Sequence, residues 1–243
     1  MTGGPATAVV LTVGNEIVTG DVENTNASWL ARRLGELGLE VLLLAAVRDS
    51  VEEIAGFLRA ERDRAGVVIV TGGLGGTPDD LTREAVAEAF DAPCEDVPEL
   101  SARLRDRFAG HGLGDYAARW AKLPRGAVPL ENPLGGAPGF VLGNVHVLPG
   151  LPREMEEMFE TLAGRFRGEP IGAWRRRYAT GEGQIVSVLE EATMRHPAVT
   201  VGSYPFFLDT GPEVEVVLKS ADPEALGEAA AWLEAALEER SGR

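Results

Sequence analysis

The chain has 243 residues, 44% of them hydrophobic and 25% charged, which suits one large folded domain or a medium domain with a small companion. Its net charge is −15, from 38 acids against 23 bases, and so acidic a composition argues against nucleic-acid binding. No apolar run approaches the roughly 20 residues that span a bilayer, and residues 1–7 lack the basic start of a signal peptide.

Cys94 is the single cysteine and lies between Pro93 and Glu95. It cannot form an intrachain disulfide, so a cytoplasmic location and an ordinary thiol are expected. Lys122 and Lys219 are the only lysines. A high-salt cytoplasm, where screening relieves self-repulsion, and biased coding account for this equally well.

Strand and helix signals alternate through the first two-thirds. Residues 8–13 are a short apolar run, read as a buried strand. Asn24 opens a segment with Leu30, Leu34 and Leu37 at helical spacing, stopped by Gly38. Residues 40–47 are a second apolar run. Ser50 and Glu53 then form a capping-box pair ahead of a helix through Ile54, Phe57 and Leu58. Gly66 ends that helix, residues 67–70 read as a third strand, and residues 84–90 as a helix with Ala85, Val86 and Ala89 inward. Such apolar strands between helices predict a mostly parallel sheet in a three-layer α/β/α domain, covered on both faces.

Residues 98–108 and 115–122 look helical, and 124–139 are rich in Pro and Gly. Gly143 and Asn144 signal a hairpin within 141–148, and Pro152 leads a helix over 153–166. The pattern breaks at 168–172, which divides the chain into residues 1–168 and a small α+β, KH-like unit over 169–243. That unit is read as strands at 175–180, 199–207 and 213–219 and helices at 184–194 and 223–240. Tyr204, Phe206 and Phe207 are expected to pack their strand, and Leu226, Ala230, Leu233 and Leu237 to form the last helix's apolar stripe.

The strongest chemical signal follows the third strand: Thr71, Gly72, Gly73, Leu74, Gly75, Gly76, Thr77, Pro78, Asp79, Asp80, Leu81, Thr82, then a helix. Glycines let backbone N–H groups approach phosphate oxygens, and a helix N-terminus adds positive potential. Asp79 and Asp80 suit a divalent cation that bridges those oxygens. The alternative is a glycine turn with capping acids and Thr82 as N-cap. A second cluster holds Gly14, Asn15 and Glu16, then Asn24, Thr25 and Asn26. Glu16 is a candidate metal or proton-transfer group, unless this is merely a loop with turn and cap residues. Asp49 follows the second strand. A third cluster contains Asn132, Gly135, Gly136, Pro149 and Gly150, loops that by themselves read as structural. His111, His146 and His196 show no ligand spacing.

Together these loops resemble the N-terminal part of the CinA (competence/damage-inducible protein) family, within the molybdopterin-binding-domain superfamily. Gly14, Asn15 and Glu16 match a Gly-Thr/Asp-Glu box, and Thr25 and Asn26 keep the end of an Asp-Thr-Asn box. Residues 72–82 match Gly-Gly-Leu-Gly-Pro-Thr-x-Asp-Asp-x-Thr, with Gly76 for proline. Residues 132–140 match Asn-Pro-x-Gly-Thr-Ala-Pro-Gly-Phe, with Gly136 for threonine, and residues 148–155 match Leu-Pro-Gly-x-Pro-x-Glu-Met. Gly181, Glu182 and Gln184 resemble the box that opens the family's small middle domain.

The resemblance implies metal-dependent hydrolysis of ADP-ribose, or of FAD, at the pyrophosphate. Asp80, Asp49 and Glu16 would be catalytic, with Asp79 and Asp80 holding Mg²⁺, Mn²⁺ or Co²⁺. Gly14, Asn24, Asn26, Thr71, Gly72, Gly73, Leu74, Gly75, Thr77, Thr82, Asn132, Gly135, Pro149 and Gly150 would bind substrate, with Asn24 and Asn26 orienting phosphate or ribose. The alternatives are molybdopterin binding or adenylylation, and non-catalytic nucleotide binding. The family also implies a homodimer. Its longer members continue into a nicotinamide-nucleotide deamidase domain, an activity not expected within these 243 residues.

Overall fold

The structure is a computed structural model and describes residues 6–166, 168, 171–209 and 211–241. Residues 1–5, 169, 170 and 243, which carry part of the signal-peptide, boundary and chain-end readings, lie outside the described residues. Two compact units divide the chain at residues 168 and 169.

In the first unit, β1 (Thr7–Val13) leads through α1 (Asn15–Val18) and α2 (Thr25–Glu36) to β2 (Glu40–Val47), α3 (Val51–Glu61), β3 (Val67–Thr71) and α4 (Thr82–Ala89). Next come β4 (Cys94–Asp96), α5 (Pro98–Ala109), α6 (Gly114–Ala118), β5 (Lys122–Pro124) and β6 (Val128–Leu130). The unit closes with β7 (Gly139–Leu142), β8 (Val145–Leu148) and α7 (Pro152–Leu162).

The main sheet has the order β2-β1-β3-β8-β7-β6. β2, β1, β3 and β8 run parallel, whereas β7 pairs antiparallel with β8 and β6 antiparallel with β7. Alternate residues of β1 and β3 enter opposite cores, as a strand's period of two requires. Val9, Leu11, Val68 and Val70 pack with Ile54, Leu58, Val86 and Leu104. Val10 and Ile69 pack with Leu30, Leu34, Met155 and Phe159 on the other face. The domain is therefore a three-layer α/β/α structure with a mostly parallel sheet.

Three local expectations need correction. β2 is not covered on both faces: it is an edge strand beside β1 alone, and Leu42, Leu43 and Leu44 are exposed. The capping box is half formed. Ser50 Oγ accepts the Glu53 N–H at 3.3 Å, but the Glu53 carboxylate turns to Arg48. Finally, β4 pairs with β5 in a separate small sheet, and β6 lies inside the Pro- and Gly-rich stretch. Strands of three residues are too short to show a period.

The second unit contains β9 (Gly172–Tyr178), α8 (Glu182–Arg195), β10 (Thr200–Leu208), β11 (Gly211–Ser220) and α9 (Pro223–Ser241). Its antiparallel sheet has the order β10-β11-β9. Val214, Val216 and Leu218 pack on Ile185, Val188, Leu233 and Leu237. Tyr204, Phe206 and Phe207 do not pack into this core. The far end of the β10–β11 hairpin leaves them exposed, Phe207 to 88%.

Candidate functional site

Because β1, β2, β3 and β8 are parallel, their C-terminal ends deliver loops to one edge of the sheet, where ligands of open α/β sheets sit. Gly14 and Glu16 after β1, Asp49 after β2, Gly72 to Gly75 with Asp79 and Asp80 after β3, and Pro149 and Gly150 after β8 line one cavity of about 590 Å³. Trp120, Gly136, Ala137 and Glu154 also line it.

The glycine loop is held by side chains behind it. Gly72 has φ +106°, and a Cβ there would collide with the Val13 carbonyl oxygen. Only glycine lets β3 leave the sheet so close to β1. Thr82 is fully buried, and its hydroxyl donates to the Gly72 carbonyl at 2.9 Å. It is not the N-cap, which is Leu81, and its hydroxyl fastens the turn. The buried Arg83 guanidinium donates to the Leu74 and Gly75 carbonyls. Asp80 accepts N–H bonds from Gly75 at 2.7 Å and Thr77 at 2.9 Å, and its carboxylate also takes the Thr77 hydroxyl. Asp80 thus shapes the loop as well as lining the cavity.

Other expected binding residues hold the walls. Asn24 is the N-cap of α2. Its Oδ1 accepts the Ala27 N–H and the Thr12 hydroxyl, each at 3.1 Å, which supports the capping reading. Thr71 is buried and donates to the Pro149 carbonyl at 2.8 Å. Asn132, only 2% exposed, donates to Glu154 at 2.8 Å and to the Ala137 carbonyl. Leu74 is buried in the core with one side against the cavity. Thr77, Asn132 and Gly135 are not among the residues that line this cavity; Thr77 borders a separate recess with Arg83 and Lys122.

Five carboxylates line the cavity: Glu16, Asp49, Asp79, Asp80 and Glu154. Among its described lining residues there is no lysine, arginine or histidine. Burial, with the negative field of Glu16, Asp79 and Asp80, pushes the Asp49 carboxyl above its ordinary range, although the Asn15 N–H at 2.9 Å opposes the shift. Uncompensated hard oxygens of this kind fit a divalent cation. Among the described residues no three such acids form a ready-made cluster.

Sequence reasoning missed Trp120 and Glu154. Glu154 lies inside the Leu-Pro-Gly-x-Pro-x-Glu-Met box, so its signal was present. Trp120 carries no local signal. It is 8% exposed, and its indole Nε1–H has no hydrogen-bond partner. Its ring packs edge-on against Tyr116, whose hydroxyl accepts the Gly76 N–H at 3.3 Å. Gly76 is the position at which the box that residues 72–82 resemble has proline. A Cβ there would meet the Tyr116 ring at 2.8 Å.

Comparison with known proteins now places the chain. Residues 9–168 match the family described as probable molybdopterin binding domain, and residues 177–242 match the FAD synthase middle domain. The first unit is therefore a molybdopterin-binding-type domain in the sense of that family. A protein of Aeropyrum pernix is 39% identical over 95% of this chain and 91% of its own length. A CinA-like protein of Parasynechococcus marenigrum is 41% identical over 74% of this chain, but the match spans only 43% of its own length. The crystal structure of CinA, of unknown function, from Thermoplasma acidophilum superposes with a TM-score of 0.61 at 34% identity, covering 66% of this chain and 99% of that one. The chain belongs to the CinA family and carries its N-terminal and small middle domains. No helix among the described residues is long and apolar enough to cross a membrane.

Proposed function

We propose that the first unit binds a nucleotide and hydrolyses the pyrophosphate of a nucleoside diphosphate compound, with ADP-ribose the leading substrate and FAD the alternative. One observation carries the reading. The cavity brings Gly72 to Gly75 together with Asp49, Asp79 and Glu16, without a basic side chain among its described lining residues. Glycine amides suit phosphate oxygens, but five carboxylates would repel a pyrophosphate that arrives alone.

Mg²⁺, Mn²⁺ or Co²⁺ would resolve that conflict, held by Asp79 with Glu16 or the free lone pairs of Asp80. When bound, the ion supplies charge neutralisation and acidifies a water. The chain's own groups do the rest. The loop amides hold one phosphoryl group and stabilise charge that develops on its oxygens. Asp49, which lines the same cavity, accepts the proton of the attacking water. The water oxygen bonds to phosphorus, the bridging P–O bond breaks, and ADP-ribose yields AMP and ribose 5-phosphate.

The domain's likeness to the molybdopterin-binding family supports a second reading, in which the ligand is molybdopterin and the reaction is adenylyl transfer from ATP. A panel of ADP-ribose, FAD, and molybdopterin with ATP, each with Mg²⁺, Mn²⁺ and Co²⁺, separates the two. AMP release from ADP-ribose, abolished by Asp49→Ala, is expected. Adenylylated molybdopterin with intact ADP-ribose would favour the second reading. Binding without turnover would leave a nucleotide-binding protein. A homodimer is proposed for the assembled protein, to be tested by sedimentation.

A further inference from the structure

Helix α5 carries Arg103 and Arg107 one turn apart, and both line a recess of about 270 Å³. Leu100, Leu104 and Pro138, all buried, give it an apolar side. Glu131 is the one carboxylate among its described lining residues. Arginines of the first unit generally lie against an acid. Arg105, between these two, meets Asp115 at 3.4 Å, and Arg33, Arg59 and Arg125 also have carboxylate partners. Arg103 and Arg107 have no ion pair and no side-chain hydrogen bond among the described residues, in a chain with 38 acids against 23 bases.

Arg107 is nevertheless held in place. Gly135 has φ +92°, and a Cβ there would stand 2.5 Å from Arg107 Nη2, so the guanidinium lies directly against the loop. Only glycine leaves it that room. A guanidinium offers N–H donors in a planar fork and no acceptor. The i,i+4 spacing sets the second fork on the same face of α5. Two cations opposed by one carboxylate, beside an apolar wall, are complementary to an anion that carries an organic body. The main cavity is the opposite, with five carboxylates and no base among its described lining residues. A phosphate without a metal is repelled there and attracted here. Among their described lining residues the two share only Gly136.

We propose that this recess is a second, metal-independent phosphate site. Arg103 and Arg107 fork the oxygens of a phosphate group, either inorganic phosphate or the end of a phosphate monoester, as guanidinium geometry favours. Leu100, Leu104 and Pro138 lie beside the sugar or base of a monoester. The site goes beyond the pyrophosphate reading and does not depend on it, because it binds its anion whether or not the main cavity hydrolyses anything.

Calorimetric titration of the full chain in chelator tests this with inorganic phosphate, ribose 5-phosphate and AMP, and with adenosine as the uncharged control. Without metal the carboxylates of the main cavity repel these anions, so binding reports the recess. The phosphate compounds should bind wild-type protein, and adenosine should not. The double variant Arg103→Gln, Arg107→Gln alters two exposed side chains. It should weaken binding at least about tenfold, the effect of losing charge-assisted hydrogen bonds, with urea unfolding unchanged. Glu131→Gln removes the opposing carboxylate and should strengthen binding about two- to threefold. Tighter binding of AMP or ribose 5-phosphate than of inorganic phosphate supports a monoester site with the organic body on the apolar side. Equal affinities support a site for the phosphate group alone. No binding to wild type overturns the proposal, as does adenosine binding as well as AMP. Affinity unmoved in the double variant, or not improved by Glu131→Gln, also overturns it by placing the anion outside the recess.

Discussion

The side-chain amide of Asn26 reaches the carbonyl of Gly150 at 2.8 Å across 124 residues of sequence. That bond ties the start of α2 to the loop after β8, and with Thr71 it fixes the floor on which the cavity is built. The same principle recurs around the site. Threonine and asparagine side chains hold the loops, and glycines and carboxylates line the cavity.

Asp80 and Asp49 should respond oppositely to substitution. Asp80→Ala removes a charged acceptor from the Gly75 and Thr77 amides, which should cost about 2 kcal/mol. Thermal unfolding should fall by roughly 5 °C, and hydrolysis should drop with it. Asp49→Asn removes a carboxylate held in the field of three others. It should leave the melting temperature unchanged or raised while abolishing hydrolysis. Two variants that lose stability equally would contradict this division.

Gly76→Pro, which restores the proline of the box that residues 72–82 resemble, should destabilise this protein by about 1–3 kcal/mol through overpacking. It also removes the N–H that reaches Tyr116. Pairing it with Tyr116→Ala should recover part of the loss. Additive effects in urea unfolding would show that Tyr116 is not what selects glycine here.

Trp120→Phe removes the indole N–H, a buried donor without a partner, together with part of the ring that packs edge-on against Tyr116 and Phe108. Affinity for ADP-ribose should weaken about five- to tenfold, the effect of one neutral hydrogen bond, beside a loss of stability of about 1–2 kcal/mol from the space left in the core. Unaltered affinity would mean that Trp120 serves packing alone.

His146 gives a pH signature. Burial, assisted by Arg165, lowers its pKa, although the Asn144 carbonyl opposes the shift. Below about pH 6.5 the unfolded chain therefore takes up a proton that the folded chain refuses, and stability falls as pH drops through that range. His146→Leu should flatten urea stability between about pH 7.5 and 5.5. An unchanged slope would place the proton uptake elsewhere.

Much of the first unit was legible in the sequence because its signals are strong. Apolar runs before glycine loops marked β1 and β3, and Gly143 with Asn144 marked the β7–β8 turn. The exposed face of β2 was not legible, since an apolar run is the same whether a strand is central or at an edge. The site was legible as loops but less so as roles. Asn24, Thr82 and Asn132 were read as ligand contacts, and the structure engages them in capping and loop fastening. Trp120 joins the cavity from a helical turn far along the chain, a placement that only tertiary folding reveals. Tyr204, Phe206 and Phe207 followed strand periodicity, which cannot tell where the covering helices of the second unit stop.

The most direct measurement is ³¹P NMR of ADP-ribose turned over in ¹⁸O-enriched water with Mg²⁺, Mn²⁺ or Co²⁺. AMP and ribose 5-phosphate should form, with one ¹⁸O in a single product phosphate, no reaction in chelator, and none with Asp49→Ala. Intact ADP-ribose with every metal, or products formed equally well by Asp49→Ala, would contradict a metal-assisted pyrophosphate hydrolase built on this cavity.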